Sequence, residues 1–125
     1  MKPILGKIET PIYALMRFVV GGLFACHGAQ KLFGAFGGQV MVHNPLMLAA
    51  GIIEFGGGLL IAIGLLTSVA AFIASGEMAV AYFMVHARGG FWPIVNKGEA
   101  AVLYCFIFLY IAAHGAGRFA VEKSS

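Results

Sequence analysis

Two of the five glutamates in this 125-residue sequence, Glu54 and Glu77, stand in the middle of apolar runs long enough to lie in hydrocarbon. An ionisable side chain near the centre of a bilayer costs on the order of 2.5–3.5 kcal/mol on insertion scales, so each needs a partner or a task. At a rise of about 1.5 Å per residue, Glu54 falls about 13 Å below one face of a roughly 30 Å core and Glu77 about 15 Å from the other. The two carboxyls therefore share a depth on neighbouring helices. A pair so placed can share or relay a proton, which suits quinone or proton chemistry, and the same spacing equally suits a static hydrogen-bonded pair. Glu54 and Glu77 are the candidate proton-handling residues, and Arg17, also within an apolar run, is the candidate structural charge partner.

Helical projection sorts the remaining polar groups. At about 100° per residue, Arg17, Gly21, Phe24, His27 and Lys31 share one flank of their helix. Glu54 groups with Gly51, Gly58 and Ile61, and Glu77 with Ala70, Ala74, Ala81 and Arg88, so both glutamates lie on small-residue faces of the kind that pack closely in membranes. In the last apolar segment Glu99, Phe106, Tyr110, His114 and Gly117 share a flank. By depth, His27, Lys31, His86, Arg88, Asn96, Lys97 and Glu99 gather towards one interface, above the two glutamates. Of these, His27, Lys31, His86, Asn96 and Glu99 are the candidate ligand-binding residues of a cleft open on that side. The opposing reading makes the histidines interfacial and lets Arg17 neutralise one glutamate.

No metal site is expected, because the four histidines show no His-x-x-x-His, Glu-x-x-His or His-x-His spacing. Cys26 and Cys105 form no Cys-x-x-Cys motif and lie off the polar flanks, which reads as small buried side chains and not as a redox pair.

These residues need elements of membrane length to position them. With 61% hydrophobic and 10% charged residues, the composition lies outside the range of soluble globular chains. Four stretches reach the length of a span, at about residues 11–30, 45–66, 67–87 and 98–117, with Pro11 and Pro45 in first turns. The fold class expected is all-α, an integral membrane antiparallel four-helix transmembrane bundle forming a single domain over 1–125. The short link around Leu66-Thr67-Ser68 forces a tight hairpin, with Thr67 or Ser68 capping the third helix. Trp92 suits the headgroup level.

The net charge of +3 comes from residues at loops and termini, which fits anchoring to anionic headgroups and excludes a nucleic-acid module. A cleaved secretory signal is not expected at the first segment, since Arg17 interrupts its apolar core and Phe24 is bulky where small residues are favoured. Basic residues on the terminal side, Lys2, Lys7, Arg118 and Lys123, outnumber Lys31, Arg88 and Lys97 on the other, which favours cytoplasmic termini.

Taken in order, the motifs resemble the DoxX family of small bacterial membrane proteins over nearly the whole chain. The resemblance lies in His27-Gly28 followed by Lys31-Leu32-Phe33-Gly34, then Gly51-Ile52-Ile53-Glu54-Phe55-Gly56-Gly57-Gly58-Leu59-Leu60 and Gly64-Leu65-Leu66-Thr67. It continues through Glu77-Met78, His86, Asn96-Lys97-Gly98-Glu99 and Gly115-Ala116-Gly117-Arg118. Two departures stand out: Ser68 where the family often has Arg, and Ala120-Val121-Glu122 in place of a Ser-hydrophobic-Asp ending. The resemblance implies a four-helix bundle. It also implies kinship with subunits of quinone-linked oxidoreductases such as thiosulfate:quinone oxidoreductase, and with membrane oxidoreductase complexes tied to thiol or oxidative stress.

The function expected is that of an accessory or quinone-interacting subunit of a redox system in the bacterial cytoplasmic (inner) membrane, with the buried glutamates handling protons. Quinone is the cofactor to test, as the sequence has no flavin, nicotinamide or Fe–S motif. The partners expected are the bilayer and a redox protein, with a homo-oligomer left open. The alternative is a non-catalytic scaffold or small-molecule transporter whose buried charges are structural.

Overall fold

The computed structural model describes residues 1–123, with the side chains of Val95 and Asn96 outside the description. Helix α1 spans Glu9–Phe33, entered through the 3-10 turn Gly6–Ile8 and closed by Gly34 in the left-handed conformation, φ 70°. Helix α2 spans Pro45–Ile63 and α3 spans Thr67–Gly89; a four-residue turn, α4, covers Pro93–Asn96, and α5 spans Glu99–His114. The chain is thus an all-helical bundle. Among the described residues, three helices are long and apolar enough to cross a membrane.

Local chemistry sets the helix ends. Asn44 caps α2, its side-chain oxygen accepting from the Leu46 and Met47 N–H groups, with Pro45 in the first turn where it forfeits no bond. At its other end α2 stops at Ile63, three residues earlier than expected, because Gly64 and Leu66 both turn left-handed. Neither Thr67 nor Ser68 caps α3. The backbone N–H of Thr67 instead donates to Glu122 of the C-terminal segment at 2.9 Å, and the Ser68 hydroxyl donates to the Ala112 carbonyl at 2.6 Å. Helix α5 has 16 residues, about 24 Å, and ends where Gly115 and Gly117 take positive φ, so it is shorter than the span expected at 98–117.

The bundle is built from two close pairs. Helices α1 and α2 meet through glycine: a Cβ on Gly21 would fall 2.6 Å from the Ala62 nitrogen, one on Gly28 2.2 Å from the Phe55 nitrogen, and one on Gly58 2.5 Å from the Ala25 nitrogen. Without side chains at these points the backbones come close enough for dispersion to hold them, which is the main source of helix association in lipid. Helices α3 and α5 form the second close pair; Ala70, Ala71 and Ala74 of α3 are buried in one core with Phe108 and Ile111 of α5, and Ser75 donates its hydroxyl proton to the Cys105 carbonyl at 2.8 Å. Between the pairs, aromatic side chains bridge α1 to α5. Phe24 lies 4.6 Å from Phe108 and 5.5 Å from Tyr104 between ring centres, and Tyr13 stacks on His114 at 3.9 Å. A close pair, a wide aromatic seam and a second close pair leave a cavity at the end of the seam nearest the connecting loops.

Candidate functional site

Arg17 and Lys31 are both cations on α1, but 14 residues separate them, about 21 Å along the axis, and the structure uses them at opposite ends. Arg17 is 1% exposed. One terminal nitrogen of its guanidinium donates to the carbonyls of Ile61 and Ala62 at 2.8 and 2.9 Å, and the other donates to Phe119 at 2.7 Å. It therefore fills the carbonyl end of α2, where positive charge is favoured, and ties the C-terminal segment down. It pairs with neither membrane glutamate. The expectation of Arg17 as their charge partner is corrected, for the physical reason that helix-end carbonyls and a returning chain lie within its reach and neither membrane glutamate does.

Lys31 is the cation of the site. Its Nζ lies 2.7 Å from Glu54 Oε1, with the lysine side chain 24% and the glutamate side chain 3% exposed. The lysine sits in the last turn of α1 and reaches inward along its apolar stem to a charge that is fully enclosed. Gly28, one turn below, lets the α2 backbone come close at Phe55, and Gly51 accommodates the Leu32 side chain, so the two glycines set the depth at which Lys31 meets Glu54. At that level α2 winds into a π turn, Ile53–Gly57. Such insertions are rare and concentrate at functional sites, since the extra residue re-aims the side chains it carries. A second π turn, Tyr82–His86, lies on α3.

Glu77 approaches the same point from α3, and its side chain lines the same cavity as Glu54. Its Oε1 is buried and has no hydrogen-bond partner. Above the three groups lies a cavity of about 320 Å³ whose lining includes His27, Lys31, Glu54, Glu77 and His86. Five of the sequence-derived candidates thus share one space. Glu99 lies outside it and is exposed, because α5 turns Phe108 and Ile111 inward and the Glu99 flank outward. The Asn96 side chain lies outside the described residues.

Sequence reasoning missed Tyr104, whose ring meets His27 edge-on at 5.9 Å, and the thioethers of Met41, Met47 and Met78, all on the cavity wall. Only the helix-face period could have found Tyr104, three residues past the buried Ala101; a methionine carries no comparable signal. Among the described residues, no three His, Cys, Asp or Glu side chains gather closely enough to hold a metal ion. The cavity offers one cation, two carboxyls and two imidazoles against thioether and aromatic walls. Such a site suits a ring with hydrogen-bonding edges and apolar faces.

A small helical membrane protein with a charge-paired carboxylate and a second carboxyl inside its span is the class that fold and site define. Within that class the chain belongs to the DoxX family, whose family model matches residues 12–87. An uncharacterized protein of Haemophilus influenzae is 42% identical over 126 residues, covering 95% of this chain and 94% of its own. No solved structure matches the chain.

Proposed function

We propose that the cavity above Lys31, Glu54 and Glu77 is a quinone site, and that the protein serves as the quinone-interacting subunit of a redox complex in the bacterial cytoplasmic membrane. The observation that carries this is Glu77, whose side chain lines the cavity and whose buried Oε1 has no hydrogen-bond partner among the described residues. An orphaned polar atom in an apolar enclosure is costly, on the order of 1–3 kcal/mol, and a ligand carbonyl or hydroxyl would satisfy it.

Lys31 balances one negative charge, so the cluster is neutral when Glu54 is the carboxylate and Glu77 keeps its proton. In that state Lys31 holds Glu54 in place, and Glu77 presents an O–H either to Glu54 or into the cavity. His27 and His86, nearer the loop side, are suited to returning a proton from water to Glu77. Phe24 and Tyr104 offer apolar faces to a ring. A quinone bound there would accept two electrons and two protons and leave as the quinol, the electrons coming from a partner protein that carries a redox cofactor. With the termini in the cytoplasm, the mouth of the cavity faces outward.

The test is quinone binding to the purified protein in nanodiscs, compared with Glu77→Gln and Glu54→Gln. We expect the parent to bind, and Glu77→Gln to bind but to support no quinone reduction by the co-purified partner. Parent-like binding and turnover in both variants would leave the carboxyls as packing devices and overturn the reading.

A further inference from the structure

Helices α2 and α3 meet at their turn and again where the π turn Ile53–Gly57 lies against α3, and their main contacts end there. Beyond that level, towards the loops, a groove of about 130 Å³ separates them. Leu46, Ala49 and Ile53 line it from α2, and Val80 and Met84 from α3. Among the described residues Glu77 is the only polar side chain on its walls, and Glu77, Met47, Ala50, Ala81 and Val85 line both this groove and the Lys31–Glu54–Glu77 cavity. Groove and cavity are therefore neighbours across a wall made of half-exposed side chains and the proposed proton-handling carboxyl.

A second apolar space, about 360 Å³ between α3 and α5, also adjoins the cavity. It shares with it only Met78 and Ala101, both 8% exposed and packed in the core, so that boundary is closed. The α2–α3 groove has no such plug. Its rim residues Leu46, Ala49, Val80 and Met84 are exposed on helices long and apolar enough to cross a membrane. Helices in lipid gain nothing from a gap, because dispersion is what holds them together. An apolar gap that leads to a polar cavity therefore fits a molecule with a hydrogen-bonding head and a hydrocarbon chain.

We infer that the ligand reaches the cavity sideways from the bilayer between α2 and α3, and that its hydrocarbon chain stays in the Leu46–Ala49–Met84 groove while its head meets Lys31, Glu54 and Glu77. This rests on the quinone reading and narrows it to chain-bearing quinones drawn from the membrane, as opposed to water-soluble ones taken through the loop-side mouth.

The experiment uses the full chain in nanodiscs and a benzoquinone with a decyl chain ending in a diazirine. After photolysis, peptides are mapped, and labels suppressed by excess plain decyl-benzoquinone are taken as specific. Competed labels are expected on Leu46, Ala49, Val80 or Met84. The double variant Ala49→Phe/Val80→Phe should reduce them about tenfold, or about 1.4 kcal/mol of binding. Leu103→Phe, on an exposed face of α5 that lines none of these spaces, should leave them unchanged, and all variants should melt like the parent.

Competed labels at Phe83, Phe91 or Cys105 would keep the quinone reading and overturn the route, since these residues line the α3–α5 space. Parent-like labelling in a folded double variant would also overturn the route. Absence of any competed label would overturn the quinone reading and this inference together.

Discussion

Lys31 and Glu54 form an ion pair, 2.7 Å between Nζ and Oε1, that joins the last turn of α1 to the middle of α2. The pair can form only because glycines at 21, 28 and 58 bring the two backbones together. Its geometry and that of the Arg17 clasp lead to four predictions.

Removing the cation alone should be worse than removing both charges. Lys31→Met leaves Glu54 enclosed without a partner, and loss of one member of a buried pair costs about 3–5 kcal/mol. The lysine's 24% exposure places the loss near the lower end. In Lys31→Met/Glu54→Gln most of that loss should return. Equilibrium unfolding in mixed detergent micelles, run as a double-mutant cycle, checks this; equal losses in single and double variants would refute it.

Glycines at the α1–α2 contact should not tolerate a methyl group. Gly28→Ala and Gly58→Ala would drive a Cβ into backbone atoms of the facing helix and should cost about 1–3 kcal/mol or more. Gly22→Ala and Gly76→Ala meet nothing within 4 Å and should be neutral or slightly stabilising through helix propensity. Thermal unfolding of the four purified variants separates the two groups.

Arg17 should not be replaceable by lysine. A guanidinium serves two helix-end carbonyls and Phe119 from separate nitrogens, a fan that a single ammonium on a flexible stem does not reproduce. Arg17→Met and Arg17→Lys should each lose about 3 kcal/mol, the scale of one or two charged hydrogen bonds. Both should also speed hydrogen exchange at Val121 and Glu122, whose N–H groups bond the Ile63 and Gly64 carbonyls.

The C-terminal latch should loosen in acid. The Thr67 hydroxyl beside the carboxylate, the Thr67 backbone N–H and, less strongly, the Arg17 charge hold Glu122 below its ordinary value of 4.5. The hydroxyl lies near without completing a hydrogen bond of its own. A group whose folded value is depressed contributes stability that is fully present above the unfolded value and is lost as pH falls through the folded one. Protection factors at Val121 and Glu122, corrected for the intrinsic pH dependence of exchange, should therefore be high above about pH 4.5 and fall below it. In Glu122→Gln this pH step should vanish. A step unchanged in that variant would assign it to another group.

The C-terminal departure from the family's usual ending acquires a role from the same contact. Glu122 reaches the start of α3 and supplies the cap that Thr67 and Ser68 do not. The other departure, Ser68, spends its hydroxyl on the Ala112 carbonyl of α5.

Hydropathy and period alone determined the helical membrane architecture, the shared level of Glu54 and Glu77 on neighbouring helices, and the buried face of α2. Gly51, Glu54, Gly58 and Ile61 do point inward together. These features depend on one segment at a time, and the rise and rotation per residue are fixed by the backbone. Partnership between segments was decided only in three dimensions. Arg17 and Lys31 share a flank of α1, yet one faces the carbonyl end of α2 and the other a carboxylate, because an antiparallel neighbour presents different groups at its two ends. Helix α5 is apolar almost all round, so its sequence carried no sign that Phe108 and Ile111 would turn inward and carry Glu99 out of the cavity. The π turns and the return of Glu122 to Thr67 depend on how whole helices settle against one another. Lys31 is the partner of Glu54 because tertiary packing, not chain order, sets which charges meet.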